Sequence, residues 1–103
     1  MIVVLSTCPQ ERAKEIAEAL VEKGVAACVN VTPSIQSVYR WQGKLQWDEE
    51  ALLVIKSNRN AWTSLERALR QLHPYEVPEI VALPVEQVSN NYLNWVEGNL
   101  CTD

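Results

Sequence analysis

The sequence has few of the residues from which metal and redox centres are usually built. Its 103 residues include one histidine and three cysteines, Cys8, Cys28 and Cys101. An odd number of widely spaced cysteines without a CxxC pair gives no disulfide framework. We therefore expect reduced thiols, as in a cytosolic protein, with Cys28 in the core and Cys101 in a frayed tail.

Basic clusters and long apolar runs are also missing. Nine basic residues stand against 13 acidic ones, for a net charge of −4, and no Lys/Arg block occurs. Nucleic-acid binding requires clustered cations, so nucleic acid is not expected as a partner. No stretch approaches the ~18 apolar residues of a membrane span, and the run Ile2–Leu5 is too short for a signal-peptide core. We expect a cytoplasmic protein that does not engage membranes.

Enzyme signatures are absent as well. The sequence has only three glycines and contains no glycine-rich phosphate loop, no GxSxG elbow and no HExxH pair. A cysteine nucleophile would need an oriented base, and nothing in the sequence indicates one. We expect no enzymatic activity.

The apolar content of 48% is enough for one domain spanning residues 1–103, with a core so modest that an oligomeric interface would add stability. The first predicted strand, Ile2–Ser6, has no helical period and is expected to be buried on both faces. An amphipathic helix follows, with Pro9 as its first residue and Gly24 as its left-handed cap.

A long hairpin comes next. Its first arm, Ala26–Trp41, is interrupted at Pro33, where we expect a bulge or an edge. Gln42-Gly43 supplies the turn, because glycine accepts a positive φ, and Lys44–Ile55 forms the second arm. At ~3.3 Å per residue each arm spans about 40–50 Å, against about 22 Å for the first helix. The hairpin is therefore expected either to overhang and pair with a neighbouring subunit or to bend back onto its own core.

The remaining elements complete a β-α-β-β-α-β-α order. Asn58 or Asn60 caps a second helix, which His73-Pro74 ends. A strand over Ile80–Val85 and a last helix capped by Ser89 or Asn90 follow. This is an α+β fold of the ferredoxin-like βαββαβ type with an extra C-terminal helix, an antiparallel sheet and both main helices on one face. The other face needs a cover, from the last helix, a partner chain or both. RNA-binding RRM domains share the order, but this acidic chain lacks their basic-aromatic strand.

Several motifs together resemble the CutA family of divalent-cation tolerance proteins. The resemblance covers essentially the whole chain and rests on ACVN at 27–30, YRWQGK at 39–44, Glu50, Lys56, HPYEVPEI at 73–80 and YLNW at 92–95. It implies a ferredoxin-like homotrimer shaped like the PII signalling proteins, which bind effectors in clefts between subunits. It also implies a part in tolerance of copper or other divalent cations, with no cofactor that the protein requires.

The resemblance points to a metal site that this chain only partly retains. Family members credited with copper binding use a cysteine late in strand 1 and two adjacent histidines before the proline. Here those positions hold Ser6, Leu72 and His73, so only His73 matches, and Cys8 lies two residues beyond Ser6. Imidazole and thiolate suit copper. His73 and, more weakly, Cys8 are therefore the metal-ligand candidates, although His73 also suits a structural place at the end of the second helix.

A second candidate site is a cleft between subunits, whose aromatic walls would be accompanied by polar groups. Its predicted residues are Tyr39, Trp41, Glu50, Lys56, Tyr75, Tyr92 and Trp95. The aromatic members are equally suited to core or interface packing. The Asp48–Glu50 run is expected to be a solvated face, or in a trimer a weak site for a hard cation. Two functions stay open: a trimer that binds divalent metal, and a PII-like trimer that binds a small effector or a partner protein.

Overall fold

A four-stranded antiparallel sheet, in the order β2-β3-β1-β4, forms the centre of the molecule. The computed structural model describes residues 1–101, so the last two residues of the predicted domain lie outside it. The elements are β1 Ile2–Cys8, α1 Gln10–Glu22, β2 Cys28–Trp41, β3 Lys44–Ser57, α2 Trp62–Leu72, β4 Val81–Pro84 and α3 Asn90–Gly98. The predicted ferredoxin-like order with a C-terminal helix is confirmed.

Helices α1 and α2 pack on one face of the sheet and enclose the main core. Their apolar stripes meet the side chains that β1 and β3 direct toward them, as the two-residue alternation of strands requires. The fully buried apolar residues of this core include Val4, Ile16, Leu20, Leu53, Ile55, Leu65 and Leu69.

Strand β1 is longer than the sequence indicated. It runs through Cys8, because Thr7 and Cys8 continue the ladder with Leu52 and Ala51 of β3. Cys8 is therefore the last strand residue and not part of the following loop. Burial alternates strictly along β1. The expectation that the strand is buried on both faces is thus wrong for a single chain, which buries only the face toward the helices.

Helix α1 starts one residue later than predicted, and its cap at Gly24 lies directly against Cys101. Pro9 precedes the helix with φ −56° and ψ 139° instead of forming its first turn. Gly24 adopts φ +73°, as a left-handed cap requires. A Cβ at Gly24 would clash with Cys101 Sγ, and the Cys101 N–H donates to the Gly24 carbonyl at 2.9 Å. The segment expected to fray is therefore anchored at Cys101.

The hairpin has the predicted turn and the predicted interruption. Gln42 and Gly43 have φ +49° and +80°, the two positive values of a type I′ turn. A bulge falls between Thr32 and Ile35, with Ser34 at φ +59°. The Gln10 side chain of α1 accepts from the Ser34 backbone N–H at 2.5 Å and so ties the bulge to the helix layer.

The tip of the hairpin stands clear of the core. The molecule extends 44 Å along its longest axis against 26 and 21 Å along the others. Leu45 and Trp47 remain 66% and 65% exposed, and Trp41 is also exposed. The alternative in which the hairpin bends back onto its own core is therefore wrong, and the overhang is confirmed.

The helix ends follow local signals. His73 is extended, with φ −82° and ψ 132°, and ends α2 before Pro74 as expected. The start of α2 is an exception, because neither Asn58 nor Asn60 caps the helix as predicted. Ala61 is the N-cap and has no side-chain cap, while Asn58 accepts from the Ala61 N–H at 2.9 Å in the preceding turn. Ser89 precedes α3 and accepts from the Tyr92 N–H.

The sheet face away from α1 and α2, called the bare face below, is apolar but only partly covered. Strand alternation and register assign to it Val3, Leu5, Leu52, Val54, Val81 and Leu83, all half-buried or exposed. Helix α3 covers one end of the sheet, where Val96 and Leu100 pack with Ala27 and Met1. The rest of this face has no cover within residues 1–101.

Candidate functional site

A cleft of about 540 Å³ opens between the hairpin and the segment that follows α2. We call it the hairpin cleft. Its lining combines three aromatic rings with three carboxylates and contains no lysine, arginine or histidine. The lining residues are Thr7, Ser37, Val38, Tyr39, Trp41, Glu50, Pro74, Tyr75, Glu76, Val77 and Glu79.

Glu50 is the buried polar group of the cleft. Only 5% of it is exposed, and its Oε1 accepts a hydrogen bond from the Tyr75 hydroxyl at 2.8 Å. Burial, and then this hydrogen bond to a carboxylate, raise the pKa of Tyr75 well above that of an ordinary phenol. The pair therefore consists of an un-ionised phenol that donates and a carboxylate that accepts.

Tyr39 and Trp41 form the wall on the hairpin side. They alternate along β2, so both face the cleft, while Arg40 between them is directed to the other face. The Tyr39 hydroxyl donates to the carboxylate of Asp48, and this bond is the main cause that raises the pKa of Tyr39. The wall is thus rich in π-electron density and negative charge.

His73 borders the site but directs both ring nitrogens to the backbone. Nε2 lies 2.6 Å from the Thr7 carbonyl oxygen, and Nδ1 accepts from the Tyr75 N–H at 3.2 Å. This pattern assigns the Nε2–H tautomer. The ring is 8% exposed and lies 4.7 Å from the Tyr75 ring, centroid to centroid. In a single chain His73 therefore links β1 to the segment that carries Tyr75.

Cys8 and Ser6 lie under the helices and not in the cleft. Burial first, and then the charge of Glu50, raise the pKa of the Cys8 thiol, which disfavours the thiolate that metals bind. The Ser6 hydroxyl is buried without a hydrogen-bond partner. Within residues 1–101, no three His, Cys, Asp or Glu side chains are grouped so as to hold a metal ion.

The predicted cleft residues divide into two groups within one chain. Tyr39, Trp41, Glu50 and Tyr75 line the hairpin cleft, whereas Lys56, Tyr92 and Trp95 lie toward the other end of β3. Lys56 lies six positions after Glu50 along the strand, or about 20 Å away.

The second group, called the Lys56 cluster, is built around one ammonium group. Lys56 donates to the side chain of Asn30, and its Nζ lies 3.9 Å from Cys28 Sγ. Tyr92 stacks on Trp95 with ring centroids 5.7 Å apart. Burial raises the pKa of the Tyr92 phenol, and Cys28 contributes in the same direction. Cys28 therefore lies at this polar cluster and is only partly buried.

Sequence reasoning missed two carboxylates of the cleft, Glu76 and Glu79. The available signal was the 73–80 segment, in which two prolines exclude a helix and place both glutamates on an irregular connection. The Asp48–Glu50 run was expected to be a solvated face, or in a trimer a weak site for a hard cation. Instead, Glu49 accepts from the Gln10 side chain at 3.0 Å on the helix side, and Glu50 is buried in the cleft.

Comparison with known proteins places this geometry in a family. The family model described as CutA1 divalent ion tolerance protein matches residues 2–99. The chain belongs to the CutA1 family. A relative named divalent-cation tolerance protein CutA, from Thermus thermophilus, is 49% identical over 98 residues, which are 94% of this chain and 95% of that protein.

Eukaryotic CutA relatives are longer than this chain. The mouse protein CutA is 53% identical over 91 residues, which are 87% of this chain and 51% of that protein. An Arabidopsis thaliana relative, 42% identical over 99 residues, is named as chloroplastic, and the match covers 95% of this chain and 54% of that protein. The chain therefore spans about half the length of these relatives.

Solved CutA structures share the fold. The Thermus thermophilus structure superposes with a TM-score of 0.94 at 48% identity, covering 98% of this chain and all of the other. A structure from Nostoc, titled a PII-like protein CutA in apo form, gives 0.94 at 32% identity with full coverage of both chains. No helix within residues 1–101 is long and apolar enough to cross a membrane.

Proposed function

We propose that this chain acts in tolerance of divalent metal ions, copper among them, as a non-enzymatic cytoplasmic homotrimer that binds metal between subunits. Membership of the CutA1 family supports the link to divalent ions. The observation that carries the shared-site proposal is His73 beside the hairpin cleft, whose Nδ1 makes a single hydrogen bond of 3.2 Å with the Tyr75 N–H. Ligands from more than one copy would complete a site there.

The bare face supports assembly. Val81 and Leu83 are each 45% exposed and lie beside Val3 and Leu5 in the strand register. A contiguous apolar sheet face of this kind gains free energy when a second surface excludes water from it. Copies of the chain supply such a surface, and the hairpin overhang gives each copy an arm that reaches its neighbour.

His73 is the proposed imidazole ligand. Its Nε2–H bond to Thr7 is short, whereas the Tyr75 N–H bond to Nδ1 is longer, at 3.2 Å. A metal would therefore bind Nδ1 at a lower free-energy cost than Nε2, because it would displace only the weaker hydrogen bond from the Tyr75 N–H. Cys8 is the weaker candidate, because its buried thiol would have to lose a proton first.

Calorimetric titration with Cu(II) tests the metal proposal. The titrations compare His73→Ala with the parent in a Cys101→Ser background, because the exposed Cys101 thiol would otherwise bind copper by itself. We expect specific binding that His73→Ala removes. Identical isotherms would exclude His73 as a ligand, and light scattering that shows a monomer near 11.7 kDa would exclude the trimer.

A second function has its own support, namely a PII-like trimer that binds a small effector or a partner in its clefts. The hairpin cleft, of about 540 Å³, has the volume typical of small-molecule sites. In an assembly the Lys56 cluster of one copy would be free to approach the hairpin cleft of the next. A thermal-shift screen of metabolites tests this function, since a ligand that binds only the folded state raises the Tm.

A further inference from the structure

We infer that the hairpin cleft binds a small organic cation, an amine or a quaternary ammonium compound, with Glu50 as its counter-ion and Trp41 and Tyr39 as its aromatic wall. The inference rests on the effector function proposed above and names the chemical class of that effector.

The first step is charge. The cleft has carboxylates from Glu50, Glu76 and Glu79 and no basic side chain in its lining. The salt bridges within residues 1–101 are Arg12–Glu15 and Arg70–Glu66, so none of the three cleft carboxylates is paired. Within a single chain the cleft is therefore a region of negative potential, which attracts cations and repels nucleotides and other anions.

The second step is the burial of Glu50. A buried carboxylate is costly unless a cation or several hydrogen bonds compensate it. Tyr75 supplies one hydrogen bond, to Oε1, and no hydrogen bond within residues 1–101 reaches Oε2. Oε2 is not among the fully buried unpaired atoms of residues 1–101, so it stays open to the cleft, and a ligand ammonium group would supply a charge and a donor there. Because Glu50 lines the cleft, such a ligand reaches it without displacing a protein contact.

The third step separates an organic cation from a metal ion. The cleft glutamates do not form a group that could hold a metal within residues 1–101. Metals also gain little from aromatic walls, whereas ammonium groups are attracted to the faces of tryptophan and tyrosine rings. A cleft of about 540 Å³ accommodates a small molecule in addition to its charged group.

Titration calorimetry with choline and with 1,4-diaminobutane tests the inference on the full-length protein. EDTA is present to exclude metal, and succinate serves as the anionic probe. We expect at least one cation to bind and succinate not to bind. Glu50→Gln keeps an acceptor for Tyr75 but removes the charge, and should weaken binding about tenfold or more. Trp41→Leu, at an exposed position, should weaken it about two- to fivefold.

Glu49→Gln is the matched control, because it removes the neighbouring carboxylate, which is directed to the helix side. Its affinity should equal that of the parent. Equal losses in Glu49→Gln and Glu50→Gln, or binding of succinate as tight as that of the cations, would overturn the inference. The absence of cation binding, together with a change of oligomeric state in Glu50→Gln, would also overturn the inference. That result would indicate that a basic side chain of a second copy occupies the cleft.

The same samples separate this inference from the functions proposed above. If the parent is a trimer and another metabolite raises its Tm while neither cation binds, the effector function stands and only the organic cation is excluded. If no metabolite or cation changes the Tm, the effector function fails together with this inference. The copper titration reports on the metal function independently of both.

Discussion

The two faces of the sheet have similar sequences and opposite surroundings. Along β3, Leu53 and Ile55 are completely buried under the helices, while Leu52 and Val54 on the bare face are only partly covered. Along β1, Val4 is buried and Val3 is not. Because the strands are apolar at consecutive positions, the chain provides two apolar surfaces but only one helix layer. The chain's own helices α1 and α2 cover one face, and the exposed part of the other face is the surface that the proposed assembly would cover.

The first way to test this comparison is to truncate adjacent leucines on the two faces. Leu53→Ala should lower the free energy of unfolding by about 2–5 kcal/mol, because it leaves a cavity in a closed core. Leu52→Ala should cost less in a dissociated chain and more in the assembly, so its effect should grow with protein concentration. Urea denaturation at two concentrations measures both. If both substitutions lowered the free energy of unfolding by the same amount at both protein concentrations, the distinction between the two faces would be wrong.

A charge on the bare face should break the assembly without unfolding the chain. Leu83→Glu places a carboxylate on an apolar face that we propose to be buried between copies, where an unpaired charge is strongly unfavourable. We expect light scattering to change from about 35 kDa, three times the mass of one chain, toward 11.7 kDa. The far-ultraviolet circular dichroism should be unchanged.

Val21→Glu provides the control for that experiment. Val21 is 43% exposed, close to the 45% of Leu83, but it lies on the helix side of the molecule. It should leave the mass unchanged. Dissociation by both substitutions would show that added charge, and not the bare face, is responsible.

Features set by local chemistry were predictable from the sequence. The turn at Gln42-Gly43, the bulge near Pro33 and the end of α2 before Pro74 each follow from the backbone freedom of one or two residues. The element order followed from hydrophobic periodicity. The family motifs added the expectation of assembly, which local patterns alone indicate only through the length of the hairpin.

Features set by contacts distant in sequence were not predictable. Cys8 belongs to β1 only because Ala51 pairs with it, and the anchoring of Cys101 depends on Gly24. Similarly, Glu49 and Glu50 look alike in the sequence. Strand alternation puts them on opposite faces, but only the register of β3 decides which of them faces the cleft. Only part of the hairpin cleft was predicted. Its aromatic residues were named, but Glu76 and Glu79 lie on an irregular connection, which gives no periodic signal in the sequence.

The smallest expected effect concerns the hydrogen bond from Tyr75 to Glu50, which joins the segment after α2 to β3. Tyr75→Phe should lower the free energy of unfolding by about 1 kcal/mol near pH 8. Because the pKa of Tyr75 is raised in the folded state, its contribution is fully present below the unfolded phenol value, about 10, and is lost as the pH rises above it. The parent and the variant should therefore differ by a constant amount up to about pH 10 and converge only above it in urea titrations. Parallel curves would show that the ionisation of Tyr75 is not coupled to its hydrogen bond with Glu50 and that packing alone holds this segment to β3.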